Sequence, residues 1–320
     1  MARTQTFVRA GVLLPALILA CTVTGASAAN LFATVNSAGV LISGGGVASV
    51  SHAPGSGQYE VTFTSNVSQC AYVSTTFNTY SQAIQSYTAG GHLSPNGVFV
   101  ETKNQGGGLL DGGFNLVVIC NAVKQFFAVV DYGGNLARST PGAVLASPGP
   151  GRYTVTFTVS VSGCAFLATV GDPANALVFN PSGVYTGSGA NSKTVYIETK
   201  NPGGGLQPGV PFHLAVICTN TPKTHIAVSA ANGIPQRAAA ATATFRTGLG
   251  RYQLVSNQSL PACAVVATRG SVDKAVPFSP TTLEIAPGLA PNTMQIQERS
   301  LLFFGGANAD QAFHVAAVCP

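Results

Sequence analysis

The 320-residue chain is 46% hydrophobic but only 8% charged, and it contains 37 glycines and 19 prolines. This composition excludes intrinsic disorder, because disordered chains have few apolar residues and a high net charge. The net charge of +5 is small and scattered along the chain, so the sequence has no basic patch of the kind that binds nucleic acid. We therefore expect no nucleic-acid partner.

Residues 1–29 have the layout of a secretory signal peptide. Arg3 and Arg9 form a positive start, and the apolar run from Ala10 to Ala20 is too short to cross a bilayer, which needs ~20 residues. Ala26-Ser27-Ala28 then provides a small-residue cleavage site. This pattern predicts a protein that is secreted, either outside the cell or into a periplasm.

A lipid anchor is the alternative destination. Ile18-Leu19-Ala20-Cys21 is similar to a bacterial lipobox, in which Cys21 would carry the lipid, although Leu19 is unusual at its position. No later segment has 18 continuous apolar residues, so we expect no transmembrane segment.

After the leader, the chain repeats one pattern of predicted strands three times. Each repeat opens with a short apolar strand and a glycine turn, at Phe32–Val35, Phe127–Val130 and Ile226–Ser229. A segment beginning Gly-x-Tyr follows, at Gly57, Gly151 and Gly250. The next strand begins Cys-Ala and ends on threonine, at Cys70–Thr75, Cys164–Thr169 and Cys263–Thr268. The repeats are therefore domain-sized, at about 95 residues each.

The end of each repeat is its most regular part. Val98–Lys103 and Val195–Lys200 run into glycine clusters, which predicts a hairpin with the closing strand. The closing strands are short, apolar and end on cysteine, at Phe114–Cys120, Phe212–Cys218 and Phe313–Cys319. Ala238–Thr244 has helical propensity. Arg237–Tyr252 nevertheless aligns without a gap to Arg138–Tyr153, in which the equivalent segment Ala143–Ser147 is strand-like, so we predict a strand there.

These elements predict an all-β protein of three tandem antiparallel domains, each a β-sandwich or a small barrel with six or seven strands and one internal disulfide. The predicted domain boundaries are 30–122, 123–221 and 222–320. The connecting segments, Asn121–Gln125 and Thr219–Thr224, are short, so we expect restricted orientations between the domains.

Six cysteines remain after Cys21 is set aside, two in each repeat. Of the 15 possible connectivities, repetition favours one bridge within each repeat. The predicted bridges are Cys70–Cys120, Cys164–Cys218 and Cys263–Cys319. Because Cys120 alternates with Val118, Leu116 and Phe114, we expect the bridge to be buried between sheets. Metal or redox chemistry would need closer cysteine pairs.

No catalytic arrangement is recognisable, so the sequence predicts a protein that is not an enzyme and has no metal or cofactor. His213 and His314 are equivalent, but repeat 1 has Asn115 there, and we expect polar side chains facing solvent or a neighbouring domain. Glu101 and Glu198 are also equivalent and are interpreted as cross-strand or solvated charges. In repeat 3 the segment reads Gln297-Glu298-Arg299, which moves the carboxylate to the other strand face.

Four aromatic residues in repeat 1 lie within a polar stretch and are candidate ligand contacts: Tyr72, Phe77, Tyr80 and Tyr87. Ordinary core and loop packing is the competing interpretation.

The combined motifs, Gly-x-Tyr-x-Val-x-Phe, Cys-Ala-Tyr/Phe and Phe-His-Leu-Ala-Val-Ile-Cys, resemble tandem two-cysteine β-repeats of uncharacterised secreted bacterial proteins. The resemblance covers all three repeats and implies export, but no catalytic residues. The sequence thus favours an exported, non-enzymatic binding or adhesion module whose partner is a carbohydrate or a cell-surface protein. A structural surface or matrix component is the alternative, and a secreted hydrolase or inhibitor is the third hypothesis.

Overall fold

A computed structural model describes residues 30–78, 84–175, 181–239, 242–273, 281–300 and 308–320. The regular structure in these ranges consists of 24 strands, eight from each repeat, which confirms the all-β prediction. The count exceeds the six or seven strands predicted for each repeat. The predicted signal peptide and Cys21 lie outside the described residues.

The strands have the same order in every repeat. Those of repeat 1 are β1 (Leu31–Val35), β2 (Leu41–Gly45), β3 (Val47–His52), β4 (Gln58–Phe63), β5 (Ala71–Phe77), β6 (Gln85–Gly90), β7 (Gly97–Lys103) and β8 (Gly113–Ile119). Those of repeat 2 are β9 (Gln125–Val130), β10 (Leu136–Ser139), β11 (Val144–Gly149), β12 (Arg152–Thr156), β13 (Cys164–Asp172), β14 (Gly183–Ser188), β15 (Thr194–Lys200) and β16 (Phe212–Cys218). Those of repeat 3 are β17 (Thr224–Ser229), β18 (Pro235–Ala238), β19 (Thr242–Gly248), β20 (Arg251–Ser256), β21 (Ala264–Ser271), β22 (Thr281–Pro287), β23 (Thr293–Ser300) and β24 (Phe313–Val318).

Each repeat divides its strands between two eight-stranded sheets. The first, second, fifth and eighth strands enter one sheet, and the third, fourth, sixth and seventh enter another. The three sheet orders are β19-β20-β23-β22-β5-β8-β1-β2, β10-β9-β16-β13-β6-β7-β4-β3 and β11-β12-β15-β14-β21-β24-β17-β18. Every sheet thus joins half of one repeat to half of another, so the three repeats close into a ring with pseudo-threefold symmetry.

The halves of each sheet meet in a short parallel pairing, whereas pairing within a repeat is antiparallel. Strand β13 pairs with β6, β14 with β21, and β22 with β5. Gly171 and Gly270 occupy two of these junctions because a Cβ atom there would lie 2.4 and 2.1 Å from a carbonyl oxygen of the facing strand. The parallel junctions therefore depend on a close approach of two backbones.

Apolar residues fill four main cores. A central core on the pseudo-threefold axis contains alternate residues of all three repeats, such as the equivalent Val73, Leu167 and Val266. Each repeat also has its own core between its two half-sheets. The closing strands are apolar on both faces because one face lines the central core and the other lines the repeat's own core.

The Gly-x-Tyr motif and the closing strand meet inside each repeat. The tyrosine ring packs edge-on against the first phenylalanine of the closing strand, with centroids 5.0–5.1 Å apart in all three repeats. In repeat 2, the motif glycine Gly151 has a φ of 66° and lies against the backbone of Gln207, where a Cβ atom would be only 2.9 Å from the amide nitrogen. Glycine is therefore required by both conformation and space.

The three predicted disulfides are confirmed: Cys70–Cys120, Cys164–Cys218 and Cys263–Cys319. Each bridge joins neighbouring strands of one sheet, and its cysteines pack in the core between the two half-sheets of their repeat, so the expected burial between sheets is confirmed. Cys164, for example, lies directly opposite Cys218 in the register of β13 and β16. Three disulfides indicate an oxidising, extracellular or periplasmic environment.

The hairpin predicted at the end of repeats 1 and 2 is wrong. Strand β7 pairs with β4 and β6, whereas β8 pairs with β1 and β5 in a different sheet. The glycine cluster forms a turn at Asn104, from which the chain crosses between sheets. The sandwich alternative is correct, because the sheets are open rather than closed into barrels.

The single strand predicted at Ala238–Thr244 is confirmed only from Thr242 onward, because the segment spans the connection between two strands of different sheets and Ala239 belongs to neither. Ala238 ends β18 and Thr242 begins β19, while residues 240 and 241 lie outside the described ranges. No described segment forms an apolar helix that is long enough to cross a bilayer.

Candidate functional site

Three equivalent threonines connect the repeats around the axis. The Thr169 hydroxyl accepts a hydrogen bond from the Ser74 N–H (2.7 Å) and donates one to the Ser74 carbonyl (3.0 Å). Thr268 binds both backbone groups of Ala168 in the same way, and Thr75 binds both groups of Ala267. The threonine that ends each Cys-Ala motif therefore satisfies a strand edge of a neighbouring repeat.

The two equivalent histidines face a neighbouring repeat, which was one of the two positions expected from the sequence, the other being solvent. His213 Nδ1 accepts the Tyr72 N–H (3.1 Å), and His314 Nδ1 accepts the Phe166 N–H (3.0 Å). Both rings are fully buried, and burial, with a nearby arginine, lowers the pKa of each histidine to about 3. Neutral, fully bonded imidazoles in a repeat interface have a structural role.

The interface between repeats 3 and 1 is different. Repeats 2 and 3 carry Arg138 and Arg237, which bind the Cys70 and Cys164 carbonyls of the preceding repeat. Repeat 1 has no arginine at the corresponding place on β2. Its Asn115 receives a bond from the Thr34 hydroxyl (2.7 Å) instead of contacting repeat 3 through a histidine. The axis thus has approximate rather than exact symmetry, and its polar groups hold the ring together.

Three of the four aromatic residues predicted as ligand contacts, Tyr72, Phe77 and Tyr87, are buried at or beside contacts between repeats. Tyr72 is fully buried, with its hydroxyl on the Val67 carbonyl, and Phe77 lies in the core of repeat 3. Burial removes both rings from the surface that a ligand would contact. Tyr80 lies outside the described residues. Tyr87 is buried beside Val170 of repeat 2, and its hydroxyl accepts the Ser182 N–H.

Tyr87 does line a small pocket on the pseudo-threefold axis. The pocket is surrounded by residues of all three repeats, with Thr75, Thr169 and Thr268 among them. Its volume is only about 90 Å³, far below the roughly 300–1,000 Å³ of typical ligand pockets. It can hold a few water molecules, and a larger ligand would have to displace the surrounding strands.

A second polar region recurs on the outer face of each β4-β7-β6 half-sheet and its counterparts. In repeat 2, Glu198 lies between two cations, 3.5 Å from Arg152 Nε and 3.1 Å from Lys200 Nζ. Tyr196 adds a hydrogen bond to the same carboxylate (2.8 Å). The polar groups of this face therefore satisfy one another.

Repeat 1 uses a similar arrangement. Glu101 accepts a hydrogen bond from Gln58 Nε2 (2.9 Å) and pairs with Lys103 Nζ (2.8 Å). The Lys103 ammonium also lies 5.3 Å from the centre of the Tyr87 ring. The interpretation of Glu101 and Glu198 as cross-strand charges is confirmed by these contacts.

Repeat 3 changes this face. The register places Gln297 opposite Arg251, where repeat 2 has Glu198 opposite Arg152. Its carboxylate comes from the next strand, because Glu284 of β22 lies 3.9 Å from Arg299 Nε. Glu298 points to the opposite face, as predicted, and its carboxylate is fully buried.

The inward-facing Glu298 is not part of the outer face. Burial raises its pKa to about 8 although Arg269 lies 3.5 Å away, and its other oxygen accepts the Gln311 N–H (2.7 Å). The Glu298 carboxylate therefore contacts groups in the interior of repeat 3.

The altered outer face of repeat 3 contains a cavity of about 460 Å³, a volume within the range of small-ligand sites. Its polar lining combines both signs of charge with amides and a hydroxyl: Thr247, Arg251, Glu284, Gln295, Gln297 and Arg299. Arg251, Gln295 and Thr247 are exposed, whereas Glu284 is buried. This cavity is the candidate functional site.

A smaller cavity of about 340 Å³ occupies the corresponding face of repeat 1. Its carboxylate, Glu60, is 3.3 Å from His92 Nδ1, and the His92 ring stacks against Phe99 (4.3 Å). Burial raises the pKa of Glu60. Because His92 already contacts both the Glu60 carboxylate and the Phe99 ring, this cavity offers fewer groups to a ligand.

The lining of the repeat 3 cavity suits binding better than catalysis. Among the described residues of its lining, Glu284 is the one carboxylate, whereas paired acid–base chemistry on a sugar needs two, and none of them is a serine or cysteine. Across the described ranges, no cluster of three histidine, cysteine or acidic side chains could hold a metal ion. Arginine, amide and hydroxyl groups can instead bind anionic and hydroxyl groups.

Comparison with known proteins gave no match to any family model, curated protein or solved structure. The candidate site therefore rests on the geometry of this chain alone. Reasoning from the sequence selected none of the cavity residues as ligand contacts, and it noted Gln297 and Arg299 only as neighbours of the displaced carboxylate of Glu298. The equivalence of Arg251 with Arg152 was available in the repeat alignment, but the position of Glu284 opposite Gln297 required the strand register.

Proposed function

We propose that this is an exported, non-enzymatic protein that binds an extracellular ligand in the outer cavity of repeat 3. The observation that carries the proposal is the cavity of about 460 Å³, in which an arginine, an ion pair and two amides converge. Binding sites usually combine such a concave shape with a few placed polar groups. The carbohydrate partner expected from the sequence suits this lining, because amides and arginine can bind several hydroxyl groups at once.

The rest of the ring supports this role as a rigid scaffold. Repeat 3 shares one sheet with repeat 1 and another with repeat 2, and the central core joins all three. The cavity strands β20, β22 and β23 continue into β5 of repeat 1, so the register that shapes the site is fixed by the whole ring. Placement of a site on paired strands holds its side chains in position before the ligand arrives.

The structural alternative is favoured by a different observation. Val40, Leu41 and Ile42 are 57%, 40% and 51% exposed at the start of the edge strand β2. An exposed apolar edge can pair with another chain, as a surface or matrix component would require. The binding proposal places the functional surface at the repeat 3 end of this sheet, whereas the structural alternative places it at the repeat 1 end, on β2.

A glycan and matrix-protein array with the disulfide-intact mature chain tests the proposal. Isolated repeats are unsuitable as probes because their shared cores would be exposed. The informative variant is Gln295→Tyr, which copies Tyr196 of repeat 2 and fills the cavity with a ring. We expect the wild-type chain to bind an array component and this variant to lose that signal. A negative array, or binding that is retained by the variant while Leu41→Lys abolishes it, would refute the cavity proposal.

A further inference from the structure

We infer that the repeat 3 cavity selects an anionic, hydroxyl-bearing ligand of the sugar-acid class, with Arg251 as the residue that recognises its carboxylate. This inference deepens the proposed function and rests on it. Its evidence is an internal comparison, because the same strand face occurs three times in the chain with different polar residues.

The first step is the loss of an internal partner. In repeat 2, the Arg152 guanidinium faces the Glu198 carboxylate across β12 and β15, at 3.5 Å. Repeat 3 keeps the arginine as Arg251 but places the neutral amide of Gln297 opposite it. Within the described ranges, the exposed Arg251 side chain forms no ion pair. The arginine has thus been retained while the carboxylate that neutralises it in repeat 2 has been removed.

The second step concerns the carboxylate that remains. Glu284 lies on β22, one strand further from Arg251 than Gln297, and pairs with Arg299 at 3.9 Å. Arg299 also donates a hydrogen bond to Gln297 Oε1 (3.2 Å), and Gln297 Nε2 donates to Asn308 Oδ1 (2.9 Å). These contacts hold Glu284, Arg299 and Gln297 on one side of the cavity. Arg251 is left on the other side as the cation that is available to a ligand.

The third step is the space beside Arg251. Gln295 occupies the position of Tyr196 in repeat 2 and of Phe99 in repeat 1, so an exposed amide replaces an aromatic ring. The shorter side chain leaves the cavity open between β20 and β23. An amide can donate and accept hydrogen bonds, as a sugar hydroxyl can, whereas an arginine fork matches a carboxylate. A hexuronate combines both features in one small ligand.

The test uses isothermal titration calorimetry of the mature chain with glucuronate, glucose and inorganic sulfate as probes. Glucuronate and glucose share their ring hydroxyl groups and differ at C6, where a carboxylate replaces the hydroxymethyl group, while sulfate has negative charge without hydroxyl groups. We expect glucuronate to bind most tightly, with affinity that falls as salt is raised, because exposed charge interactions are screened. Glucose should bind at least about tenfold more weakly, the loss expected for a missing charged hydrogen bond.

Two variants separate charge from folding. Arg251→Gln copies Gln58 of repeat 1, and Gln297→Glu restores the carboxylate of repeat 2, so both residues are already tolerated on this face. Each should weaken glucuronate binding about tenfold or more and weaken glucose binding by a clearly smaller factor, because only glucuronate loses a charged contact. The control is Gln236→Glu, which adds the same charge on the exposed strand β18, outside the cavity lining. It should retain wild-type affinity.

The outcomes distinguish this inference from the proposed function. Equal binding of glucuronate and glucose, with no effect of Arg251→Gln, would overturn the anion inference while supporting a sugar site. Sulfate binding as tight as glucuronate binding would overturn the requirement for hydroxyl groups. Failure of all three probes would overturn the sugar-acid assignment, and the array signal of Gln295→Tyr would then decide whether the cavity binds anything.

Discussion

The threonine contacts around the axis make a quantitative prediction for Thr169→Val. Valine has nearly the same shape as threonine, so the packing at the interface is kept while the hydroxyl is lost. The Ser74 N–H and carbonyl, which bind this hydroxyl at 2.7 and 3.0 Å, would then be buried without their partner. Each of the two unsatisfied groups costs about 1–3 kcal/mol, so we expect a loss of about 2–6 kcal/mol in the free energy of unfolding.

The assay is equilibrium unfolding in urea with the disulfides intact, and the expected change is a lower midpoint at an unaltered m-value. Thr169→Ser is the matched control, because it keeps the oxygen and removes one methyl group at a cost of about 1 kcal/mol. Thr75→Val and Thr268→Val should behave like Thr169→Val, since their contacts are equivalent. A valine variant that is as stable as the serine variant would refute the reasoning.

Three further predictions concern the same scaffold. Replacement of both Cys164 and Cys218 by alanine should lower the free energy of unfolding by about 4 kcal/mol, because the bridge restricts the entropy of the unfolded loop that it closes. A loss below about 1 kcal/mol in urea unfolding would contradict this explanation. His213 has its pKa lowered to about 3 by burial, whereas an unfolded histidine titrates near 6.5. The unfolded state therefore binds the proton first as pH falls, and stability should drop by roughly 2 kcal/mol per buried histidine between pH 7 and 5. Urea unfolding measured from pH 7 to pH 5 should show a smaller decrease in stability for His213→Asn than for the wild type. An equal pH dependence in the two proteins would contradict the prediction. Gly270→Ala should destabilise by about 1–3 kcal/mol because its Cβ would lie 2.1 Å from a carbonyl oxygen. Gly149→Ala, with no atom within 4 Å of its Cβ, should leave the stability almost unchanged. Thermal unfolding of both glycine variants measures the difference, and equal melting temperatures would contradict the prediction.

The local pattern of the chain was sufficient for several features. Repetition identified the three disulfides, because a repeated domain with one cysteine pair is expected to form its bridge within itself. It also identified the strand that begins at Thr242, although neighbouring alanines favour a helix. These features depend on residues that are close in the repeat or equivalent between repeats, so an alignment of the chain with itself contains the necessary information.

Pairing between strands required the tertiary structure. The hairpin expected at the glycine cluster of repeat 1 fails because β7 and β8 belong to different sheets. Tyr72 and Phe77 were candidate surface contacts, but the first packs in the core of repeat 1 against His213 of repeat 2, and the second enters the core of repeat 3. Their burial follows from the exchange of half-sheets between repeats, which no local period of hydrophobicity specifies.

The amino-acid sequence by itself determined the repeats, the strand content and the cysteine pairing, because these follow from local periodicity and internal equivalence. Tertiary structure alone decided that the repeats close into a ring and that the arginine of repeat 3 faces an amide beside an open cavity. The physical reason is that both properties depend on register between strands distant in the chain. A shift of one residue would move Glu284, Gln297 and Arg251 to other faces or partners.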